Sequence, residues 1–206
     1  MTTLLLRVRD QPKRESQPGG RLGDEPGVLS IRLSAVGSVA QEQGDLAWAA
    51  DPGTYDPYVT QPFVGEDFVV PRGLAGPGFR LEPLGPQHNE ADHRAWTSSI
   101  DHIHSTPGFA NWKWPPADGL TLAENLRDLR GHANDFEQRK GFTYTVLDQE
   151  GLVVGCVYIY PSKSDPQVPR VNSWVSADFA ELDVPLYEAV SRWLEADWPF
   201  EQVQYR

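Results

Sequence analysis

VNSWVSADFAELDVPLYEAVSRWLEADW, residues 171–198, decides how this chain folds. A short run ending Ser173-Trp174-Val175 has the character of a strand. It passes through a loop into a segment whose apolar residues Leu186, Val190, Trp193 and Leu194 recur at helical spacing. Asp183 is the expected N-cap of that helix, Pro185 suits its first turn, and Pro199 ends it. A strand that runs through a loop into a helix is where α/β proteins hold anions, on the free N–H groups of the helix start. Here the loop has no glycine and carries Asp178, Glu181 and Asp183. Architecture and local charge therefore point in opposite directions.

Working outward, Val203-Gln204-Tyr205 reads as a last short strand. Upstream, Phe142 to Leu147 and Leu152 to Tyr160 are rich in strand formers, and Asp148-Gln149-Glu150-Gly151 joins them as a hairpin. Thr121-Leu122-Ala123-Glu124 spells a capping box, in which the threonine hydroxyl accepts from the backbone N–H three residues on while Glu124 reaches back. Leu122, Leu126, Leu129, Ala133 and Phe136 line one face of the helix that follows. Arg139-Lys140 suits its negative end and Gly141 its C′ position. A further helix is expected from Asn89 to about Ser105, with Trp96, Ile100 and Ile103 at helical spacing. A Pro-rich loop carrying Trp112 and Trp114 separates the two helices, and Phe79 to Leu84 opens the compact unit as a half-buried strand.

That unit spans residues 78–206. Residues 55–77, with Tyr55, Tyr58, Phe63, Phe68 and Val70, read as an extended arm packing on it. Residues 1–54 mix Gly, Pro, Ser, Gln and charge without period, and such a tract buries too little to offset its ordering entropy. They read as a disordered tail. Met1 is the only methionine, so an upstream extension from a misplaced start codon is a second reading of this tract.

The formal net charge is −11 and the pI about 4.8. That field opposes binding to nucleic acid and to anionic membrane surfaces and suits cationic or amine ligands; a solubilising surface is the plainer reading. One cysteine, Cys156, excludes an internal disulfide and multi-cysteine zinc sites, and inside a strand it reads as a small buried hydrophobe. No apolar run reaches the length of a membrane span, and Leu4-Leu5-Leu6 is too short for a signal-peptide core. A cytoplasmic setting is expected. His102 and His104 sit two apart, so on a helix they face different sides and share no metal. No metal site is expected, and His88, His93 and His132 are expected at the surface. Serine-hydrolase elbows, phosphate-binding P-loops and His-Glu-x-x-His patterns are absent from the sequence.

One aromatic constellation remains: Trp112, Trp114, Tyr144, Tyr158, Tyr160 and Trp174. On adjacent strands and an adjoining loop, alternate members can line a single cleft for a small cationic amine or a flat aromatic ligand. Core packing competes with that role at every position.

The order strand, helix, helix, hairpin, strand, helix, strand, with Gly155 inside Val153–Val157 and Ser173-Trp174-Val175 feeding a helix, resembles the GNAT superfamily of acyl-CoA-dependent N-acyltransferases. The resemblance covers about residues 78–206. It implies an α/β (α+β) mixed sheet, acetyl-CoA as co-substrate, and cofactor contacts from the strand at Trp174, Val175, Ser176 and Ala177. The family's Gln/Arg-x-x-Gly-x-Gly/Ala loop, which wraps the pyrophosphate, falls on Asp178, Glu181 and Asp183. A carboxylate about 6 Å from a phosphate charge costs on the order of 2–3 kcal/mol at an effective dielectric of about 20. A helix start returns only about 0.3–1 kcal/mol, or up to about 2 when partly buried. The family usually continues past the strand at Val203-Gln204-Tyr205 into another helix that often carries a tyrosine acid. Here a second copy completing the sheet as a homodimer, or a shortened variant, is expected instead.

The implied function is transfer of an acetyl group from acetyl-CoA to a small amine. The alternative is a non-catalytic module of the same fold that holds a small aromatic or cationic ligand or a partner chain. No residue is assigned as catalytic acid or base.

Overall fold

The computed structural model of the chain describes residues 62–110 and 112–206. The tail expected over 1–54, and residues 55–61 of the arm, lie outside the described residues. The sheet begins with β1 (Leu74–Gly76) and β2 (Phe79–Pro83), an antiparallel pair. Three helices follow: α1 (Asn89–Thr97), α2 (Ile100–Ser105) and α3 (Leu122–Glu137). Then come β3 (Phe142–Asp148), β4 (Val153–Pro161), β5 (Pro169–Val175), α4 (Asp183–Asp197) and β6 (Gln204–Tyr205). The six strands lie in sequence order across one sheet, and every neighbouring pair is antiparallel except β5 and β6. That last pair is parallel because α4 carries the chain back between them, as a strand–helix–strand crossover requires. It is short, joining only Arg170 to Gln204 and Val171 to Tyr205.

Alternation along the strands sorts the core into two clusters. Phe142, Tyr144 and Val146 of β3, Val157 and Ile159 of β4, and Val171 and Val175 of β5 pack with Leu186, Val190, Trp193 and Leu194 of α4. Cys156, Tyr158 and Tyr160 of β4 and Trp174 of β5 pack instead with Ala95 and Trp96 of α1, Ile103 of α2 and Leu129 of α3. The pairing of β3 with β4 slips between Val146 and Leu147, which face Gly155 and Val153, so β4 carries one extra residue there. A Cβ on Gly155 would run into the carbonyl of Trp174; the approach of β4 to β5 at the bulge requires glycine.

Several local expectations change. The helix expected from Asn89 to Ser105 breaks at Ser98–Ser99, where the Ser99 N–H turns back to the Trp96 carbonyl at 3.0 Å. The left-handed residue after α3 is Arg139, at φ 57°, and not Gly141. Gly141 serves a different need, because a Cβ there would enter the Tyr160 ring. Arg139 also explains the course of residues 62–73. Its guanidinium donates to the carbonyls of Gly65 (3.1 Å), Glu66 (3.0 Å) and Phe68 (2.6 Å). Phe63 stacks on Phe200, Phe68 lies against Trp198, and the Tyr144 hydroxyl donates to the Pro71 carbonyl at 2.6 Å. Strand β1 falls inside the range read from sequence as an arm, so the sheet starts before residue 78.

Candidate functional site

The β5–α4 corner is where the resemblance implies cofactor contacts. Trp174 and Val175 are fully buried there and Ser176 nearly so. Their donors are already engaged within the chain. Trp174 Nε1 donates to the Tyr158 hydroxyl at 3.1 Å, and the Ser176 N–H to the Val154 carbonyl at 2.7 Å. The Ala177 N–H donates to Ser99 Oγ at 3.0 Å, which ties the α1–α2 break to the end of β5. Residues Ala177–Leu182 form a 3-10 turn in which the N–H groups of Phe179 and Asp183 bond back to Ser176 and Ala180. Asp183 is the first residue of α4 and not its N-cap; Leu182 takes that position with no side-chain cap. The Asp183 carboxylate turns to Arg206, whose Nη1 and Nη2 donate to it at 2.9 and 2.6 Å. Asp178 and Glu181 are exposed. A diphosphate needs free N–H groups, and those of Ala177, Phe179 and Asp183 are bonded within the chain while a carboxylate stands at the helix start. The corner does not fit the diphosphate of acetyl-CoA.

The aromatic constellation divides. Trp114 sits among Trp174 (centroids 5.9 Å apart), Tyr158 (6.2 Å), Trp96 (6.1 Å) and Phe109 (6.1 Å). Trp112 joins through Phe109 and carries the Arg170 guanidinium over its ring at 4.9 Å. Tyr160 lies beyond His132, which contacts both Tyr158 and Tyr160. Tyr144 does not join them: it packs in the other cluster against Trp193, Phe136 and Trp198. Its place on β3 alternates with Thr143, and the pleat sends the two to opposite faces. Trp114 and Trp112 are half-buried, whereas Tyr144, Tyr158, Tyr160 and Trp174 are buried.

Sequence reading missed a buried polar layer beneath α3. The helix turns Asn125, Asp128, Leu129, His132, Asp135 and Phe136 inward, while Leu122 is 46% exposed. Asn125 accepts from Trp96 Nε1 at 2.9 Å and donates to Asp92 at 3.0 Å. The Cys156 thiol also points at Asp92, 3.5 Å away. His132 Nδ1 meets the Tyr160 hydroxyl at 2.8 Å and Thr143 Oγ1 at 3.0 Å, and Tyr160 donates to Asp135 at 3.2 Å. Burial raises the Asp92 carboxyl above its usual range, against hydrogen bonds from Asn125 and Cys156. Asp128 is raised strongly by burial and by the neighbouring Asp92 and Asp135. Asp135 is pushed up to about 6 by burial, and His132 down to about 4 for the same reason. The expectation that His88 and His132 lie at the surface fails: His88 is 8% exposed, its Nε2 2.8 Å from Glu82, and the His132 side chain is 11% exposed. The available signal was the spacing Asn125, Asp128/Leu129, His132, Asp135/Phe136, which repeats at helical period as well as the leucines do.

A depression of about 510 Å³ opens beside the corner, lined by Thr97, Ser98, Ser99, Asp101, His102 and Ala177 among others. Among the described residues, no three His, Cys, Asp or Glu side chains are grouped to hold a metal. No helix among them is long and apolar enough to cross a membrane.

From β2 onward the element order is the expected one, with the first helix divided into α1 and α2, and the sheet is mixed as the resemblance implies. No family model and no curated protein matches the chain. Among solved structures it is similar to the microcin C7 self-immunity acetyltransferase MccE, in complex with acetyl-CoA and AMP, at 12% identity and a TM-score of 0.44. That match covers 57% of this chain and 61% of the other, so the chain spans less than two thirds of that enzyme's length. A Salmonella typhimurium acetyltransferase that modifies the N-terminal serine of ribosomal protein L7/L12 matches at 10% identity and a TM-score of 0.46, covering 61% and 70%. The ribosomal-protein-S5-alanine acetyltransferase of Vibrio fischeri matches at 9% and 0.45, covering 60% and 68%.

Proposed function

We propose that this GNAT-type domain recognises a small cationic amine and acts on it as an N-acetyltransferase, with acetyl-CoA as donor. The amine half is supported by the depression of about 510 Å³ at the α1–α2 junction. There Asp101 offers a carboxylate to an ammonium group beside His102, while the hydroxyls of Thr97 and Ser98, which donate to the His93 and Ala95 carbonyls, keep lone pairs able to accept from it. A net charge of −11 draws cations toward the protein. The depression also reaches Ala177, at the end of β5, so an amine held there lies beside the corner. The transfer half rests on the element order by which the sequence resembles acyl-CoA-dependent N-acyltransferases, and acetyl-CoA, if bound, would supply an activated thioester carbonyl. The β5–α4 corner does not cradle its diphosphate. The proposed setting is cytoplasmic.

A second reading, an amine-binding domain without transfer, is favoured by one observation: the donors of the β5–α4 corner are engaged within the chain. Titration with acetyl-CoA and a panel of primary amines, followed by a free-thiol assay, separates the two. Thiol release in the presence of an amine supports transfer. Amine binding weakened at least about fivefold by Asp101→Asn, without acetyl-CoA binding below about millimolar, supports the second reading. Binding of neither rejects both.

A further inference from the structure

At the start of α4 the chain holds one of its own guanidinium groups in a built site. Arg206 makes a two-pronged pair with the Asp183 carboxylate, at 2.9 and 2.6 Å. Its Nη2 also lies 3.4 Å from Ser173 Oγ and 3.4 Å from the Asp183 carbonyl. The guanidinium carbon stands 4.8 Å from the Tyr187 ring centre and 5.7 Å from that of Tyr205. Those two rings pack on each other at 4.7 Å, and the Tyr205 hydroxyl is fixed by Ser173 Oγ at 2.8 Å. A carboxylate fork, a hydroxyl, a carbonyl and two aromatic faces together select a planar, delocalised cation over an ammonium.

The occupant fits this site incompletely. Arg206 adopts φ 68°, in the left-handed region that disfavours non-glycine residues. Its Nε is buried without an acceptor, which carries the cost of an unmet donor. The site also has an open side, since Tyr187 is 37% exposed and the Asp183 side chain 23%. Rotation of one side chain vacates it. We propose that Ser173, Asp183, Tyr187 and Tyr205 form a guanidinium-binding site that Arg206 fills in cis, and that a free guanidinium compound or an arginine residue takes over by displacing it. The site lies at a different place from the amine depression and stands whether or not acetyl transfer occurs. It also gives a physical reason for the misfit of a diphosphate: the corner is arranged around a cation.

Replacement of the occupant tests this. In Arg206→Ala, methylguanidinium at about 10 mM is expected to raise the melting temperature by about 3 °C or more, with methylammonium at equal concentration without effect. Adding Asp183→Asn is expected to abolish the response. Argininamide acting like methylguanidinium assigns recognition to the guanidinium group alone. A short arginine peptide binding about tenfold tighter than either assigns it to an arginine presented by a chain. Equal stabilisation by methylguanidinium and methylammonium, or by neither, overturns the proposal. Should Arg206→Ala not fold, Arg206→Gln keeps the stem and takes the same comparison. In the wild-type protein, argininamide is expected to shift the ring proton signals of Tyr187 and Tyr205. Absence of any shift at about 50 mM, well above a millimolar affinity, overturns displacement.

Discussion

Thr145 has a fully buried hydroxyl with no hydrogen-bond partner, opposite Cys156 in the β3–β4 pair. Thr145→Val keeps the shape and removes the unmet group, so it is expected to stabilise the protein by about 1 kcal/mol in urea unfolding. Asp135 and His132 act in opposite senses. The folded Asp135 carboxyl is raised to about 6, so its stabilising effect is complete below its unfolded range near 4 and is lost as pH rises through 6. His132 is lowered to about 4, so its contribution is complete above about 6.5 and is lost as pH falls through 4. The two largely cancel in between. Asp135→Asn removes one side of that balance. Its stability relative to wild type is expected to be more favourable at pH 8 than at pH 5 by about 1 kcal/mol, after allowance for solvent screening. Urea melts at the two pH values check this, and an unchanged difference refutes the burial of Asp135. None of these three residues stood out in the sequence: Thr145 has no period of its own, and the stripe holding His132 and Asp135 competes with a leucine stripe of the same period. Only the neighbour that tertiary packing brings to it gives it a role.

Helix α3 shows what can be read at the scale of an element. Its capping box stands as the sequence spells it, with the Glu124 N–H 3.2 Å from Thr121 Oγ1 and the Thr121 N–H 2.7 Å from Glu124. Capping is a contact among four consecutive residues, so it needs no partner from elsewhere. Thr121→Ala is expected to cost about 1 kcal/mol, a fall of about 2–4 °C in melting temperature by calorimetry. The direction in which the helix faces was not legible. A leucine stripe and a stripe of Asn125, Asp128, His132 and Asp135 both fit the helical period, and Leu122 ends up exposed. The polar stripe turns inward because Trp96, Tyr160 and Thr143 supply hydrogen-bond partners from α1, β4 and β3. The break between α1 and α2 has a similar origin. Ser99 leaves the helical path, and its hydroxyl meets the Ala177 N–H, 78 residues further along.

Across the whole molecule, Arg139 joins distant segments. It holds three carbonyls of residues 65–68 and stands in a left-handed conformation at the end of α3. Arg139→Ala is expected to destabilise by about 1.5–3 kcal/mol and to speed amide exchange across residues 63–70, with little change in β4. Uniform protection in the variant would show that Phe63 and Phe68 hold this segment unaided. The sequence by itself determined β2 to β6, α3, α4, the hairpin and their order, because periodicity, turn residues and caps act over a few neighbouring residues; it did not determine β1 or the break between α1 and α2. It also determined that the loop before α4 lacks glycine and is acidic. Tertiary structure alone decided that Tyr144 faces away from Tyr158, since pleat and register set the face. It alone decided that Asp183 turns from a cap into a ligand for Arg206, since that pairing needs α4 to return the chain beside β5. Local residue order carries propensity. Which polar group meets which is decided only when segments far apart in the chain share one buried space.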